Sequence, residues 1–189
     1  MIPTIRLYFH PSETVFPNNN GTTVNCTTHM GTLTYNGTVY DSIEYAFNYE
    51  ENIGQGCFFC CPTSTACGYH EGDRERIMIL KQNNNIEYVY FNAHSPGQGV
   101  WVRWQDCNKD TDGNLIAYVA RGSHAFYPNP ETYLRIFGFA NDQCSNNGLS
   151  LTTNVTGSHN DYIVPKQHSI TPTQRFFLPF VVNCLRNGQ

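Results

Sequence analysis

The stretch RERIMILKQNNNIEYVYFNA, residues 74–93, decides the fold that this sequence predicts. Each of its two halves is a short segment whose side chains alternate between two faces, as they do along a β-strand. In the second half Tyr88 and Tyr90 fall on one face, and Val89 and Phe91 fall on the other. The QNNN sequence between the halves is typical of a tight turn. The stretch therefore predicts an antiparallel β-hairpin.

Short alternating segments of the same kind continue outward through the chain, separated by clusters of Gly, Pro and Asn. PGQG at 96–99 and DTDGN at 110–114 predict two further hairpin turns, and helix signals are nearly missing. The predicted strands are Ile5–Phe9, Gly31–Tyr35, Ser42–Tyr49, Arg74–Lys81, Ile86–Ala93, Val100–Gln105, Leu115–Arg121, Arg135–Phe139 and Phe176–Val182. We expect one all-β domain over residues 1–189, an antiparallel, jelly-roll-like β-sandwich with long loops, disulfides and a Cys-rich insert at about 56–68.

Composition excludes two classes of partner. The 189 residues suit one domain with one hydrophobic core. Lys and Arg number 11 against 15 Asp and Glu, a net charge of −4, and no block of positive charge stands out. Nucleic acid is therefore not an expected partner. The longest apolar runs, such as FFLPFVV at 176–182, are far shorter than the roughly 20 residues of a membrane span.

Cysteine count indicates an oxidising compartment. Eight cysteines are spread over most of the chain, an even number that predicts disulfides in a secreted protein. They are Cys26, Cys57, Cys60, Cys61, Cys67, Cys107, Cys144 and Cys184. A zinc site at Cys57, Cys60, Cys61 and Cys67 is the alternative, but it would leave the other four cysteines unexplained.

Four N-x-T sequons support the same compartment, since this sequence is the acceptor for N-glycosylation in secreted proteins. The predicted glycosylation sites are Asn20, Asn25, Asn36 and Asn154. The opening MIPTIRLYFHP lacks a positively charged start followed by an apolar run, so no secretion signal is expected within it. A secreted or extracellular protein is the expectation.

Strand direction predicts a polar cluster at one end of the sheet. HEGDRE, residues 70–75, enters the first strand of the hairpin, and His94 leaves the second, so both lie at the same end. His124 also follows a predicted strand. The candidate site residues are His70, Asp73, Glu75, His94 and His124.

Three kinds of chemistry suit these residue types. His70, Asp73, His94 and His124 are ligands of the kind that bind a divalent metal such as Zn²⁺ or Ca²⁺. Without metal, paired histidines and carboxylates act as general acid and base in hydrolysis of esters or phosphodiesters. In the third, structural interpretation, Asp73 and Glu75 form ion pairs with Arg74, Arg76 or Arg121 at the rim of the sheet.

Six stretches carry a resemblance to a known family. They are LYFHPSETVFP at 7–17, IEYAFNYEENIG at 43–54, HEGDRERIMI at 70–79, FNAHSPGQGVW at 91–101, YVARGSHAFYPNP at 118–130 and GFANDQCSNNG at 138–148. In this order they resemble the vacuolar protein sorting-associated protein 62 family, which has fungal and plant members. The resemblance spans nearly the whole chain and implies that the polar signature of that family falls on His10, Pro11, Glu13, His70, Gly72, Asp73, Glu75, His94, Gly122, Ser123 and His124. Arg74 departs from it, because the family has Trp between the Asp and Glu of its GDWE motif.

Two classes of function follow. The first is a secreted, disulfide-linked and N-glycosylated β-sandwich that acts as an extracellular structural, assembly or binding module. Its expected partners are other copies of itself, as a homo-oligomer or filament, or a glycan. The second is a hydrolase of phosphoesters or glycans that uses the polar cluster with or without a metal.

Overall fold

The computed structural model describes residues 2–14, 16–17, 19–52, 70–94, 98–134 and 141–159. Within these ranges the secondary structure is almost entirely β, as predicted. The strands are β1 (Ile5–Phe9), β2 (Thr23–Tyr35), β3 (Thr38–Asn52), β4 (His70–Gln82), β5 (Asn85–Phe91), β6 (Val100–Arg103), β7 (Leu115–Val119), β8 (Phe126–Tyr127), β9 (Thr132–Tyr133), β10 (Asp142–Gln143) and β11 (Ser150–His159). One turn of 3-10 helix, Trp104–Asp106, follows β6.

Nine of the strands form one mixed sheet in the order β6-β5-β4-β3-β2-β11-β1-β7-β8, and β9 pairs with β10 separately. The prediction of an all-β fold is confirmed, but the purely antiparallel arrangement is wrong. β1 runs parallel to β7, and β11 runs parallel to β2. Both parallel pairs join segments far apart in the sequence, which a reading of neighbouring hairpins does not reveal.

The hairpin predicted at 74–93 is confirmed. β4 and β5 pair in antiparallel register from Ile77 opposite Phe91 to Gln82 opposite Asn85. Their turn places Asn83 and Asn84 at φ angles of 50° and 66°, a left-handed conformation that Asn tolerates better than most residues. The sequence of the turn therefore matches its backbone.

The other two predicted hairpins had different outcomes. β5 and β6, which flank PGQG, do pair in antiparallel register. DTDGN does form a turn, in which the Asp110 carboxylate accepts hydrogen bonds from the backbone N–H groups of Asp112 and Asn114. This turn does not join β6 to β7, since β7 pairs with β1 and β8. The turn is closed by one antiparallel bridge, between Lys109 and Leu115, so the predicted hairpin turn is present but is not followed by a longer strand pair.

Several strands are longer than the sequence predicts. Ile5–Phe9 is confirmed to the residue, whereas β2, β3 and β4 extend beyond the predicted limits into polar sequence. β11 was not predicted, because its sequence SLTTNVTGSH is polar and carries few core residues. The predicted strands Arg135–Phe139 and Phe176–Val182 lie outside the described residues.

The inner face of β4 carries the core and then the site. Ile77 and Ile79 are fully buried in the main hydrophobic cluster, together with residues of β1, β2, β3, β5, β7, β8 and β11. Met78 and Leu80 face the other side, in a smaller cluster with Tyr35, Tyr40 and Trp101. By the same alternation Glu75 and Asp73 continue the inner row, so that the apolar interior ends in two acidic residues.

The sheet curls until its two ends nearly meet. The Phe126 N–H of β8, an outermost strand of the sheet, donates to the carbonyl oxygen of Asn92, just beyond β5, at 2.9 Å. The Asn92 N–H in turn donates to the Arg76 carbonyl of β4 at 3.3 Å. The sheet therefore forms an almost closed, barrel-like wall around the core rather than the predicted sandwich. We call this contact between β8 and the β4–β5 hairpin the seam.

The cysteines depart from the disulfide prediction. Cys26, Cys107 and Cys144 are buried free thiols. The sulfur atoms of Cys26 and Cys144 each lie 3.8 Å from a backbone carbonyl oxygen, and that of Cys107 lies 3.4 Å from one. These three residues therefore behave as core residues with weak S–H donors. The other five cysteines, Cys57, Cys60, Cys61, Cys67 and Cys184, lie outside the described residues.

In the part of the chain that the structure describes, no helix has the length and apolar character that crossing a membrane requires.

Candidate functional site

A cluster of ionisable side chains, three of them buried and the fourth largely buried, lies at the seam. Asp73 and Glu75 reach it from the inner face of β4, Glu13 from the loop after β1, and His124 from the turn between β7 and β8. We call these four residues the seam cluster. Its members come from three separate parts of the chain, so the folded sheet is what brings them together.

His124 is the centre of the cluster. Its side chain is fully buried, and its Nδ1–H donates to Asp73 Oδ2 at 3.1 Å. Its Nε2 faces Glu13 Oε1 at 3.9 Å, which is beyond hydrogen-bond distance. The ring of Tyr49 stacks on the imidazole at 4.0 Å with an angle of 4° between the planes. Burial alone lowers the pKa of an imidazole, but the two carboxylates outweigh it and raise the pKa of His124.

The backbone at His124 is strained. Its φ of 57° lies in the left-handed region, which few residues other than Gly adopt. His94 has the same conformation, with φ of 59°. A residue held in this region costs on the order of 1–3 kcal/mol unless its surroundings compensate, and such residues concentrate at sites with a specific role.

Glu13 ties the loop after β1 to the turn that carries His124. Its Oε2 accepts the Gly122 backbone N–H at 2.7 Å, and its Oε1 accepts the N–H of Thr14 at 2.9 Å. Gly122 has a φ of 68°, so this turn places two left-handed residues close together. The carboxylate therefore stabilises the backbone conformation that points His124 inward.

Glu75 is a buried acid of the cluster with a raised pKa. Its side chain is 4% exposed, and its Oε2 accepts a hydrogen bond from Asn92 Nδ2 at 3.1 Å. Burial, followed by the negative charge of Asp73, raises the pKa of Glu75 to about 8. Glu75 is therefore a group that gains or loses a proton near neutral pH.

A second centre adjoins the first. His94 Nε2–H donates to Asp142 Oδ2 at 2.7 Å, while the hydroxyls of Ser123 and Tyr127 donate to the same carboxylate at 2.7 and 2.5 Å. Burial opposes ionisation of Asp142, but these hydrogen bonds prevail and lower its pKa. Ser123 and His124 are consecutive, so one turn contributes a side chain to each centre.

The structure joins only part of the predicted site. Asp73, Glu75 and His124 do converge, while His94 belongs to the second centre, with Asp142. The backbone of His70 begins β4 opposite Asn52, and its side chain lies outside the described part. Among the described residues, no group of three or more His, Cys, Asp or Glu side chains is arranged to hold a metal ion. The prediction of a metal site thus gains no support from this part of the chain.

Two of the three arginines of the predicted rim of ion pairs, Arg74 and Arg76, lie away from Asp73 and Glu75. Arg74 and Arg76 lie on the outer face of β4, opposite to the face that carries Asp73 and Glu75. There Arg74 contacts His29 at 3.1 Å, and Arg76 pairs with Glu44 at 3.8 Å. Strand alternation therefore separates neighbours in HEGDRE onto two sides of the wall.

Several site residues were missed by reasoning from residue pattern. Tyr49, Asn92, Tyr127 and Asp142 carry no local signature, because each joins the site through a contact distant in the sequence. Glu13 was found only through the family resemblance. The Ser123 hydroxyl, whose position came only from the same resemblance, donates to the Asp142 carboxylate.

Access to the seam cluster is restricted on the described surface. His124 is 0% exposed and Glu13 2% exposed at the side chain, whereas His94 retains 24%. Two shallow depressions of about 230 and 210 Å³ lie elsewhere. The first is lined by Pro3, Lys81, Asn84 and Ile86, and the second by Ile86, Glu87, Tyr88, Arg103, Trp104 and Gln105.

Comparisons with known proteins give little support for an assignment. No family model matches the chain, and no curated protein matches it. The resemblance to the vacuolar protein sorting-associated protein 62 family therefore stays a prediction.

A solved structure does match in part. The crystal structure of Necrosis and Ethylene inducing Protein 2, from the causal agent of cocoa's Witches Broom disease, superimposes with a TM-score of 0.41 at 15% identity. The match covers 66% of this chain and 64% of that one, less than two thirds of its length. Nothing about function is transferred from it to this chain.

Proposed function

We propose that this protein is a secreted, N-glycosylated β-sheet module that binds or assembles outside the cell, and that its seam cluster holds the sheet closed rather than hydrolysing a substrate. The observation that supports a structural role of the seam cluster is the burial of His124. Its imidazole is enclosed between Asp73, Glu13 and Tyr49 with no exposed surface. A general acid or base has to come within hydrogen-bond reach of its substrate, and the protein itself encloses this imidazole on the described surface.

A structural role fits the positions of the contacts. The bond from His124 to Asp73 crosses the seam in the same region as the backbone bond from Phe126 to Asn92, and Asn92 also binds Glu75. Polar contacts thus continue the backbone pairing where the sheet meets itself. Buried charge pairs of this kind specify one arrangement, because a slipped seam would leave a buried charge unpaired.

The extracellular part of the proposal rests on the sequons and on the low charge of the surface. Asn20, Asn36 and Asn154 are exposed and Asn25 is partly exposed, so the folded wall has room for glycans on its outer side. Charged residues make up 14% of the chain. The partners proposed are other copies of the chain or a glycan.

The test is to separate folding from activity in one pair of variants. We expect His124→Ala to lower the midpoint of urea unfolding strongly, and His94→Ala to lower it less, since His94 is partly exposed. A panel of phosphoester, ester and glycan substrates should give no turnover with the unsubstituted protein. Turnover that His124→Ala abolishes at a temperature where the variant is still folded would overturn the proposal.

A hydrolase is the second candidate, and one observation favours it. Glu75 has a pKa of about 8, so it exchanges a proton near neutral pH, and it lies in a cluster with His124, whose pKa is raised by Asp73 and Glu13 against the effect of burial. A metal-dependent form would need His70 as a further ligand. Elemental mass spectrometry on the native protein and on His70→Ala tests this, because stoichiometric metal lost in the variant would favour the metal-dependent enzyme.

A further inference from the structure

We propose that Asn25 and Asn154 form a single glycan position, so that a chain carries a glycan on one of them, mainly Asn25, and not on both. This inference rests on the proposed secretion of the protein. It starts from one contact: Asn154 Nδ2 donates to Asn25 Oδ1 at 3.0 Å, across 129 residues of sequence. Two acceptor sequons are therefore in direct side-chain contact.

The pairing of β2 with β11 creates this contact. The two strands run parallel in a register that sets Asn154 directly opposite Asn25. Val24 and Cys26, on either side of Asn25, point into the core, so Asn25 points outward. Thr156, the hydroxyl residue of the second sequon, also donates to the Cys26 carbonyl at 3.3 Å. The two sequons thus lie side by side on the outer face of the wall.

Spacing excludes two glycans at this position. Neighbouring strands of a sheet are about 4.8 Å apart, which is narrower than the first sugar of an N-linked glycan with its N-acetyl and hydroxymethyl substituents. Two such sugars, each attached to a side chain of the same length and direction, would occupy the same volume. The hydrogen bond brings the two amides closer still.

The chemistry of attachment favours Asn25. The Nδ2 atom of the acceptor attacks C1 of the sugar on a lipid-linked diphosphate donor, the bond from C1 to the diphosphate breaks, and Nδ2 loses one proton. A glycan on Asn25 leaves its Oδ1 free to accept from Asn154, so the contact in the structure persists. A glycan on Asn154 replaces one of the two N–H bonds of the group that donates. Asn25 also emerges first in synthesis, before the strand that faces it has been made.

The other two sequons provide internal controls. Asn20 is exposed and its Oδ1 accepts hydrogen bonds from its own neighbours Thr22 and Thr23. Asn36 is exposed in the turn between β2 and β3, where it has a φ of 48°. The contacts given for Asn20 stay within its own turn, and Asn36 lies in a turn of its own. We therefore expect each to be occupied independently of the rest.

The experiment is intact mass and glycopeptide mass spectrometry on the full chain secreted from a eukaryotic host. We expect at most three glycans per molecule, with Asn25 filled and Asn154 almost empty. In Asn25→Gln, and in Thr27→Ala, which removes the sequon but keeps Asn25, occupancy of Asn154 should rise at least fivefold. Asn20→Gln is the matched control and should leave Asn154 unchanged.

The possible failures are distinct. Molecules with both Asn25 and Asn154 filled, or an Asn154 occupancy that neither variant raises, would overturn the exclusion while leaving the secreted glycoprotein intact. Glycans at Asn20 and Asn36 with both paired sites empty would also overturn it. A chain without glycans at any of the four sequons would contradict the proposed glycosylation and the exclusion together.

Discussion

At His124 the backbone strain and the buried contacts depend on each other. The left-handed conformation is unfavourable, and it is maintained because Glu13 binds the Gly122 N–H and Asp73 binds the imidazole. Removing the imidazole takes away the hydrogen bond that His124 donates to the Asp73 carboxylate. Breaking a buried charged pair from one side costs more than the pair contributes, since the remaining group is desolvated and uncompensated.

The first prediction is therefore a double-mutant cycle. We expect His124→Ala to reduce the free energy of unfolding by about 3 kcal/mol, because it removes the buried imidazole that donates to Asp73 and faces Glu13. Asp73→Ala combined with His124→Ala should cost less than the sum of the two single changes. His159→Ala, at an exposed position on β11, is the control and should change stability little. Urea unfolding checks this, and additive losses would contradict direct coupling between the two side chains.

Glu75 gives a prediction with a defined sign in pH. Its pKa is raised to about 8 in the folded protein, above the usual value of an unfolded Glu, so folding favours the protonated form. The stability that this contributes is complete below about pH 4.3 and is lost as pH rises to 8. Glu75→Gln keeps an acceptor for Asn92 and removes the ionisation. We expect the variant to exceed the unsubstituted protein in stability at pH 8 by a few kcal/mol and by much less at pH 5.

Chemical denaturation at the two pH values is the measurement. Asp110→Asn provides a contrast, because its partners Asn114 and Arg6 lower the pKa of Asp110 to about 2 although burial opposes them. A carboxyl group of this kind loses its contribution as pH falls rather than as it rises. An equal gain for Glu75→Gln at both pH values would show that ionisation of Glu75 does not decide the effect.

At the scale of single elements, the sequence predicts best where packing is local. Residues 74–93 specify their hairpin because both strands alternate and the Asn turn suits its backbone. The same alternation assigns Asp73 and Glu75 to the inner face. β11 escapes prediction because its place between β1 and β2 is decided by distant partners, and its own residues are mostly polar.

Close packing of two elements gives the third prediction. A Cβ atom on Gly148, just before β11, would overlap the Phe9 carbonyl oxygen at the end of β1 and lie 2.9 Å from backbone atoms of His10 and Pro11. Backbone cannot yield as a flexible side chain can. We expect Gly148→Ala to cost about 2 kcal/mol or more by thermal or urea unfolding.

Gly157→Ala is the matched control for that change. It also lies at β11, where the added Cβ would meet the methyl group of Thr27 at an ordinary contact distance of 3.7 Å. Its cost should stay below about 1 kcal/mol. Similar losses in the two variants would mean that the wall between β1 and β11 is more adaptable than the structure indicates.

At the scale of the whole molecule, closure of the sheet is the feature that the sequence does not predict. Glu13 and Gly122 are 109 residues apart, and Asp73 and His124 are 51 apart, yet these contacts form one cluster. Pattern reasoning placed several of the right residue types at one end of a sheet. It could not reveal that the sheet turns back on itself there, because that depends on the combined twist of nine strands.

Closure of the sheet buries the three free thiols, and this burial leads to the last prediction. Cys26 and Cys107 lie in the main core, where burial raises the pKa of their thiols to about 12 and about 11, and burial likewise raises the pKa of Cys144. A buried thiol with a high pKa has almost no reactive thiolate at neutral pH. We expect all three to resist N-ethylmaleimide in the native protein and to react once urea unfolds it without any reductant.

Peptide mapping by mass spectrometry identifies the modified cysteines individually. A Cys introduced at an exposed position by Ser158→Cys serves as the positive control. Any of the three that reacts only after reduction is in a disulfide, which would restore the original prediction for that residue.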